Sequence, residues 1–172
     1  MKNIKIEQDN IVNARTESII IPLDSYGLID AQVNKKIIDR SGHIVKKNMK
    51  QYIENNNINI PDCFLIDAGQ LKRINIKYIC YCVIKRFNKD FTNINIVKKG
   101  INKCFKHIML NNIKSVAIGA IGTELNDIEL TSSGRLVFDN CIKYNRYLDI
   151  KIIDENKEFI DYIKERVKKY KD

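Results

Sequence analysis

The chain has 172 residues, 44% of them hydrophobic and 30% charged, with 30 Lys and Arg against 21 Asp and Glu for a formal net charge of +9. That length suits one domain, residues 1–172, whose core buries about 70% of the unfolded surface, and no apolar run reaches the ~18 residues of a membrane span. The positive balance favours anionic partners such as nucleotides, nucleic acid or a membrane surface, but no basic run interleaved with aromatics marks a dedicated nucleic-acid surface.

Residues 3–8 alternate Ile4 and Ile6 with polar side chains, the pattern of a half-buried strand. Before them, Met1, Lys2 and Asn3 lead into no apolar stretch, so no signal peptide and a cytoplasmic location are expected. Residues 17–22 carry Ile19, Ile20 and Ile21 and end at Pro22, a short buried strand. With no helix between these two strands, an antiparallel edge is expected. Asp30 is placed to cap a helix that carries Val33 and Ile37 on one face and stops before Gly42. Residues 44–54 hold Val45, Met49, Tyr52 and Ile53 at helical spacing, until Asn55, Asn56, Asn57 and Pro61 break the pattern.

Strands follow at 63–67 and 77–84, joined by a polar link that opens with a turn at Ala68, Gly69 and Gln70. Val97, Ile101, Cys104, Phe105 and Ile108 form a helical stripe, in which Gly100 costs about 1 kcal/mol relative to alanine. Residues 115–118 are a continuous apolar strand running into a loop with Gly119 and Gly122. Leu136, Val137, Cys141 and Tyr144 mark another helix, residues 147–153 the last strand, and Phe159, Tyr162, Ile163 and Val167 the core face of a closing helix. The basic outer face of that helix, with Lys164, Arg166, Lys168 and Lys169, reads as solvated surface. Strands alternating with helices predict an α/β sheet covered on both faces.

Five cysteines, Cys63, Cys80, Cys82, Cys104 and Cys141, form no disulfide framework. Cys80 and Cys82 have strand spacing and share one face. Neither His43 nor His107 stands at ligand spacing to them, so buried structural thiols are expected and no metal.

The segment Lys114–Asp127 carries the functional question. A glycine-bearing loop at a strand's C-terminal end is where open α/β sheets hold ligands, because backbone N–H groups there meet a phosphate. This loop, however, carries Glu124 and Asp127. At about 6 Å and an effective dielectric constant near 20, each would oppose a diphosphate charge by about 2–3 kcal/mol before screening.

The order of elements, with four local stretches, resembles the macro domain, the ADP-ribose-binding α/β/α module, over residues 4–167. Gln8-Asp9-Asn10 falls where that family has a Gly-Asp pair after its first strand. The resemblance makes Asp9 the acceptor of the adenine amino group, with Asn10 beside it, whereas an isolated loop Asp would simply form an Asx-turn. Pro22-Leu23-Asp24 is similar to the Pro-Thr-Asn variant of the family's second-strand motif and implies Asp24 at the distal ribose. Asp30, Ala31, Gln32, Val33 and Asn34 fall on the family's Gly-Gly-Gly-Val-Asp, so side chains stand where glycine lets the backbone close on the ligand.

Residues 115–123 are similar to the family's Ser-Ile-Ala-Phe-Pro-Ala-Ile-Ser-Thr. They imply Gly119, Ala120, Ile121, Gly122 and Thr123, followed by Glu124, Leu125 and Asn126, as the phosphate loop. In hydrolytic members an Asn and an Asp of these motifs assist attack on the ribose; here the pair reads Asp24 and Asn34, in exchanged order. The resemblance implies a three-layer α/β/α sandwich with a mixed, mostly parallel sheet that binds ADP-ribose or an ADP-ribosylated protein. It calls for no cofactor, no metal and no membrane. Two alternatives stand beside it: a hydrolase that removes ADP-ribose from protein or from O-acetyl-ADP-ribose, and a degenerate macro fold used for RNA or protein contact through its basic surface.

Overall fold

The computed structural model describes residues 3–27, 32–86, 92–123 and 127–171. In chain order the elements are β1 (Ile4–Gln8), β2 (Ser18–Asp24), α1 (Gln32–Ser41), α2 (His43–Asn55), β3 (Asp62–Asp67), β4 (Tyr78–Lys85), α3 (Ile94–Leu110), β5 (Ser115–Ile118), α4 (Leu130–Tyr144), β6 (Asp149–Asp154) and α5 (Lys157–Lys171). Short stretches of 3₁₀ helix at Ile11–Asn13 and Gly69–Ile74 fill two of the links. Among the described residues no helix is long and apolar enough to cross a membrane.

The six strands lie in the order β1-β6-β5-β2-β4-β3. All neighbours run parallel except β3, which is antiparallel to β4 at one edge. The expected antiparallel pairing of β1 with β2 is therefore wrong. β1 occupies the opposite edge, parallel to β6, and two strands separate it from β2. The reason lies in the link between them, which buries Ile11, Val12 and Ala14 against the sheet. It serves as the crossover layer that a helix would otherwise supply. Nine residues reach about 30 Å when extended, enough to return along a five-residue strand and cross three strand spacings.

Strand alternation divides the core. Ile20, Cys80, Cys82, Val116, Ile118 and Ile152 face α3, α4 and α5. Ile19, Ile21, Ile79, Tyr81 and Val83 face the side of α1 and α2. β2 and β4 are apolar on both faces, as a sheet covered on both sides requires. The glycine inside α3 has a packing role: a Cβ on Gly100 would stand 2.9 Å from Ile84 Cγ2 and 3.0 Å from Cys82 Sγ, so its absence lets α3 close onto β4. Four of the five thiols are buried as expected. Burial pushes the Cys141 thiol up. Cys63, on the edge strand, is half-buried, and the thiols of Cys104 and Cys80, with the positive charges of His107 and Lys103, hold it far below its ordinary range.

Glu17 clasps the N-terminal ends of three strands. Its Oε1 accepts from Lys77 Nζ at 2.8 Å and its Oε2 from the Lys114 amide at 2.7 Å. Its own amide donates to Ser115 Oγ at 2.8 Å, and its carbonyl accepts from the Lys77 and Tyr78 amides. The Lys77 bond first, then the Lys114 amide, hold the carboxyl below its ordinary value of 4.5. A depressed native value stabilises the fold above the unfolded value and is lost as pH falls through the native one. Glu17→Gln is expected to cost about 1 kcal/mol at neutral pH. In denaturant titrations against pH, its deficit relative to the parent should close below about pH 4.

Candidate functional site

β5 ends at Ile118, level with Ile20 of β2, while β2 runs on to Asp24. Beyond Ile20 one side of β2 has no strand beside it, which is why Pro22 is tolerated in a central strand. β2 feeds α1 on one face of the sheet, whereas its neighbours β5 and β4 feed α4 and α3 on the other. A crevice opens at such a switch point, at the C-terminal ends of parallel strands. Here it measures about 640 Å³ and is reached by the ends of β2, β4, β5 and β6.

The structure sorts the expected site residues. Asn10, Asp24, Gln32, Val33, Asn34, Gly119, Ala120, Gly122 and Thr123 line the crevice. Asp30, Ala31, Glu124, Leu125 and Asn126 lie outside the described residues. Ile121 is fully buried, and its amide donates to Ser133 Oγ at 2.9 Å while its carbonyl accepts from the same hydroxyl at 2.8 Å. Ile121 thus anchors the loop to α4 and does not line the crevice. Asp9 stands beside the crevice and is not among its lining residues. Its Oδ1 accepts from the Asn13 side chain at 3.0 Å and the Asn10 amide at 2.6 Å, which lower its pKa. Asn10 in turn caps the following turn through the Val12 amide.

The two residues of the expected catalytic pair differ in position. Asn34, in the first turn of α1, is 2% exposed, and its Nδ2 donates to the Pro22 carbonyl at 2.9 Å. That bond fixes which end of the amide is which, and Oδ1 is left buried without a partner among the described residues. Asp24 accepts the Tyr26 amide at Oδ1, 2.7 Å away, in an Asx-turn at the end of β2.

The feared repulsion takes a different form. Asp127, with a side chain only 4% exposed, faces Lys85 Nζ at 3.1 Å and receives the Thr92 amide at 3.4 Å. Its charge is matched inside the protein. Asp154, at the end of β6, was not anticipated: Oδ2 accepts the Ala120 amide at 2.9 Å and Oδ1 the Asn156 amide at 2.8 Å. Gly119 permits this contact, since a Cβ there would fall 2.7 Å from Asp154 Oδ2. Glu155 pairs with Lys36 of α1. Arg86, after β4, lines the crevice, is exposed, and forms no ion pair with a described residue. Thr92 Oγ1 is a second buried polar atom on the crevice wall without a partner among the described residues. Residues directly after strand ends were the signal that would have found Lys85, Arg86 and Asp154. On the basic α5, Arg166 is taken up by Asp139 at 3.0 Å and by the Phe138 ring.

A family model described as Macro domain matches residues 20–137. A macrodomain from Oceanobacillus iheyensis with MES bound superposes with a TM-score of 0.80 at 13% identity, covering 97% of this chain and 90% of that one. The macrodomain of Mycobacterium tuberculosis DarG gives 0.77 at 16% identity, covering 89% and 98%. A Trypanosoma brucei macrodomain in complex with ADP-ribose gives 0.79 at 13%, covering 96% and 69%. No curated protein matches the chain in sequence.

Replacing Lys85 with methionine leaves Asp127 buried without its cation. Lys85→Met is expected to cost about 3 kcal/mol in chemical denaturation. Adding Asp127→Asn should recover a large part of that loss, because the amide oxygen still accepts from Thr92.

Proposed function

We propose, from the premise that this chain belongs to the macro domain family, that the strand-end crevice binds ADP-ribose or a related ADP-ribosyl nucleotide. The observation that carries this reading is the crevice of about 640 Å³ at the strand ends, whose lining residues include Asn34 and Thr92, with Asn34 Oδ1 and Thr92 Oγ1 buried and without a partner among the described residues. Such groups cost about 1–3 kcal/mol each if nothing bonds to them. Asn34 Oδ1 suits a hydroxyl donor such as ribose, and Thr92 Oγ1 suits either a donor or a phosphate oxygen. The crevice volume lies within the range of small-molecule and cofactor sites.

The charges support the same reading. Asp127, Asp154 and Glu155 each have a local partner, so their repulsion of a diphosphate is reduced. Arg86 is the cation at hand for the diphosphate, and its planar fork suits paired phosphate oxygens. Recognition of ADP-ribosylated protein follows if the distal ribose points to the open side of the crevice.

Binding is favoured over hydrolysis. A carboxamide neither takes nor gives a proton in catalysis, and the amide of Asn34 is held by Pro22. That leaves Asp24 as the acid–base group of the two, and its Oδ1 already accepts the Tyr26 amide.

Calorimetric titration with ADP-ribose is expected to give one site with a Kd on the order of micromolar. Arg86→Ala should weaken it by about tenfold and flatten its dependence on salt. The absence of both heat and thermal shift at millimolar ligand would remove this reading. Release of label from mono-ADP-ribosylated protein, abolished by Asp24→Asn, would establish the hydrolase in its place.

A further inference from the structure

Away from the crevice, the sulfur atoms of Cys63, Cys80 and Cys104 all lie within 4.8 Å of one another. Three separate elements bring them together. The antiparallel register sets Cys63 of β3 opposite Cys82 of β4, and Leu65 opposite Cys80, so Cys63 and Cys80 are diagonal neighbours on the face covered by α3. Gly100 lets α3 sit close against Cys82, and Cys104, one turn further on, points its thiol onto the same patch.

We propose that this cluster is a binding site for a thiophilic d¹⁰ cation, Zn²⁺ or Cu(I), with Cys63, Cys80 and Cys104 as its sulfur ligands. Thiolates select these ions over the oxygen-seeking divalent metals. Sulfurs bound at about 2.3 Å to a tetrahedral zinc stand about 3.8 Å apart. The thiols observed here need to close by no more than about 1 Å. Cys80 and Cys104 are fully buried and held by packing, whereas Cys63 is half-buried on the edge strand and gives an ion its way in.

The neighbours fit a site that would carry excess negative charge. Lys103 and His107 flank Cys104 on α3 and stand near the Cys63 sulfur. Lys103 Nζ is held by the Pro61 carbonyl at 2.7 Å, beside the start of β3. Cu(I) is satisfied by three sulfurs. Zinc requires a fourth donor, for which Cys82, whose thiol approaches that of Cys104, and His107 are the nearby groups. A ligating thiol that is still protonated gives up its proton to solvent on binding, so affinity falls as pH is lowered.

The test uses the full chain, reduced and free of oxygen, titrated separately with Zn²⁺ and with Cu(I) against a chromophoric chelator. One equivalent of at least one ion should bind. Cys63→Ser, at the half-exposed edge, and Cys80→Ala should each weaken it on the order of a hundredfold. Cys141→Ala, a thiol outside the cluster, should leave it unchanged, with circular dichroism confirming that each variant is folded. Absence of stoichiometric binding to the reduced parent, or binding that survives in folded Cys63→Ser, overturns the proposal. So does binding lost equally in Cys141→Ala. ADP-ribose titration is a separate readout, so failure of either site leaves the other standing.

Discussion

The functional end of this protein depends on a mismatch of strand lengths. β5 has four residues and β2 seven, and their pairing runs only from Ser18 to Ile20 of β2, so β2 projects past its neighbour. Backbone polar groups at such a projection need partners. Part of the need is met by side chains that the surrounding elements deliver: Asn34 reaches the Pro22 carbonyl from α1, and Ser133 reaches the Ile121 amide from α4. The crevice is the space left over between these two connections. Its shape therefore follows from the sheet, and its chemistry from what each strand end carries.

At the crevice β2, β4 and β6 each end in an acid or a base, and the arrangement limits what the acids can do. Asp154 bonds backbone amides, Asp127 faces Lys85, and Glu155 faces Lys36. Asp154 holds the Ala120 amide in a loop that in other sheets would turn such groups towards a phosphate. The protein has thus exchanged part of an anion-binding cradle for internal rigidity. The groups left at the crevice to meet an anion are the guanidinium of Arg86 and the hydroxyl of Thr92, whereas Asn34 Oδ1 can only accept. Among the described residues, the carboxylates of Asp127, Asp154 and Glu155 are each answered inside the protein.

The layering was legible in the sequence because it rests on local pattern. Ser115–Ile118 was read to the residue, since Ser115 and three apolar residues bounded by Lys114 and Gly119 fit few alternatives. The position of β1 was not legible. Ile11, Val12 and Ala14 are too few to show a period, yet they form a buried crossover, and a crossover without a helix looks like a hairpin link. Asn10, Asp24 and Asn34 were found because they adjoin strand ends or open a helix. The partner of Asp127 was hidden by the 42 residues that separate it from Lys85. The same holds for Cys63 and Cys104, whose proximity depends on an edge strand pairing antiparallel.

β4 joins the two ends of this molecule. Cys80 and Cys82 face α3 in its middle, Ile84 packs beneath Gly100, and Lys85 and Arg86 emerge at the crevice. Anything that holds α3 against β4 also fixes the direction in which Lys85 and Arg86 leave the sheet. The close approach at Gly100 does this by packing, at the cost of a flexible residue inside a helix. An ion bridging Cys63, Cys80 and Cys104 would do it by bonds that span β3, β4 and α3 together. β4 has strand neighbours on both sides, although its register against β2 shifts just before Lys85, where Leu23 pairs with Val83 and Asp24 with Lys85. Geometry at the thiol cluster and cation placement at the crevice are thus two constraints on one strand.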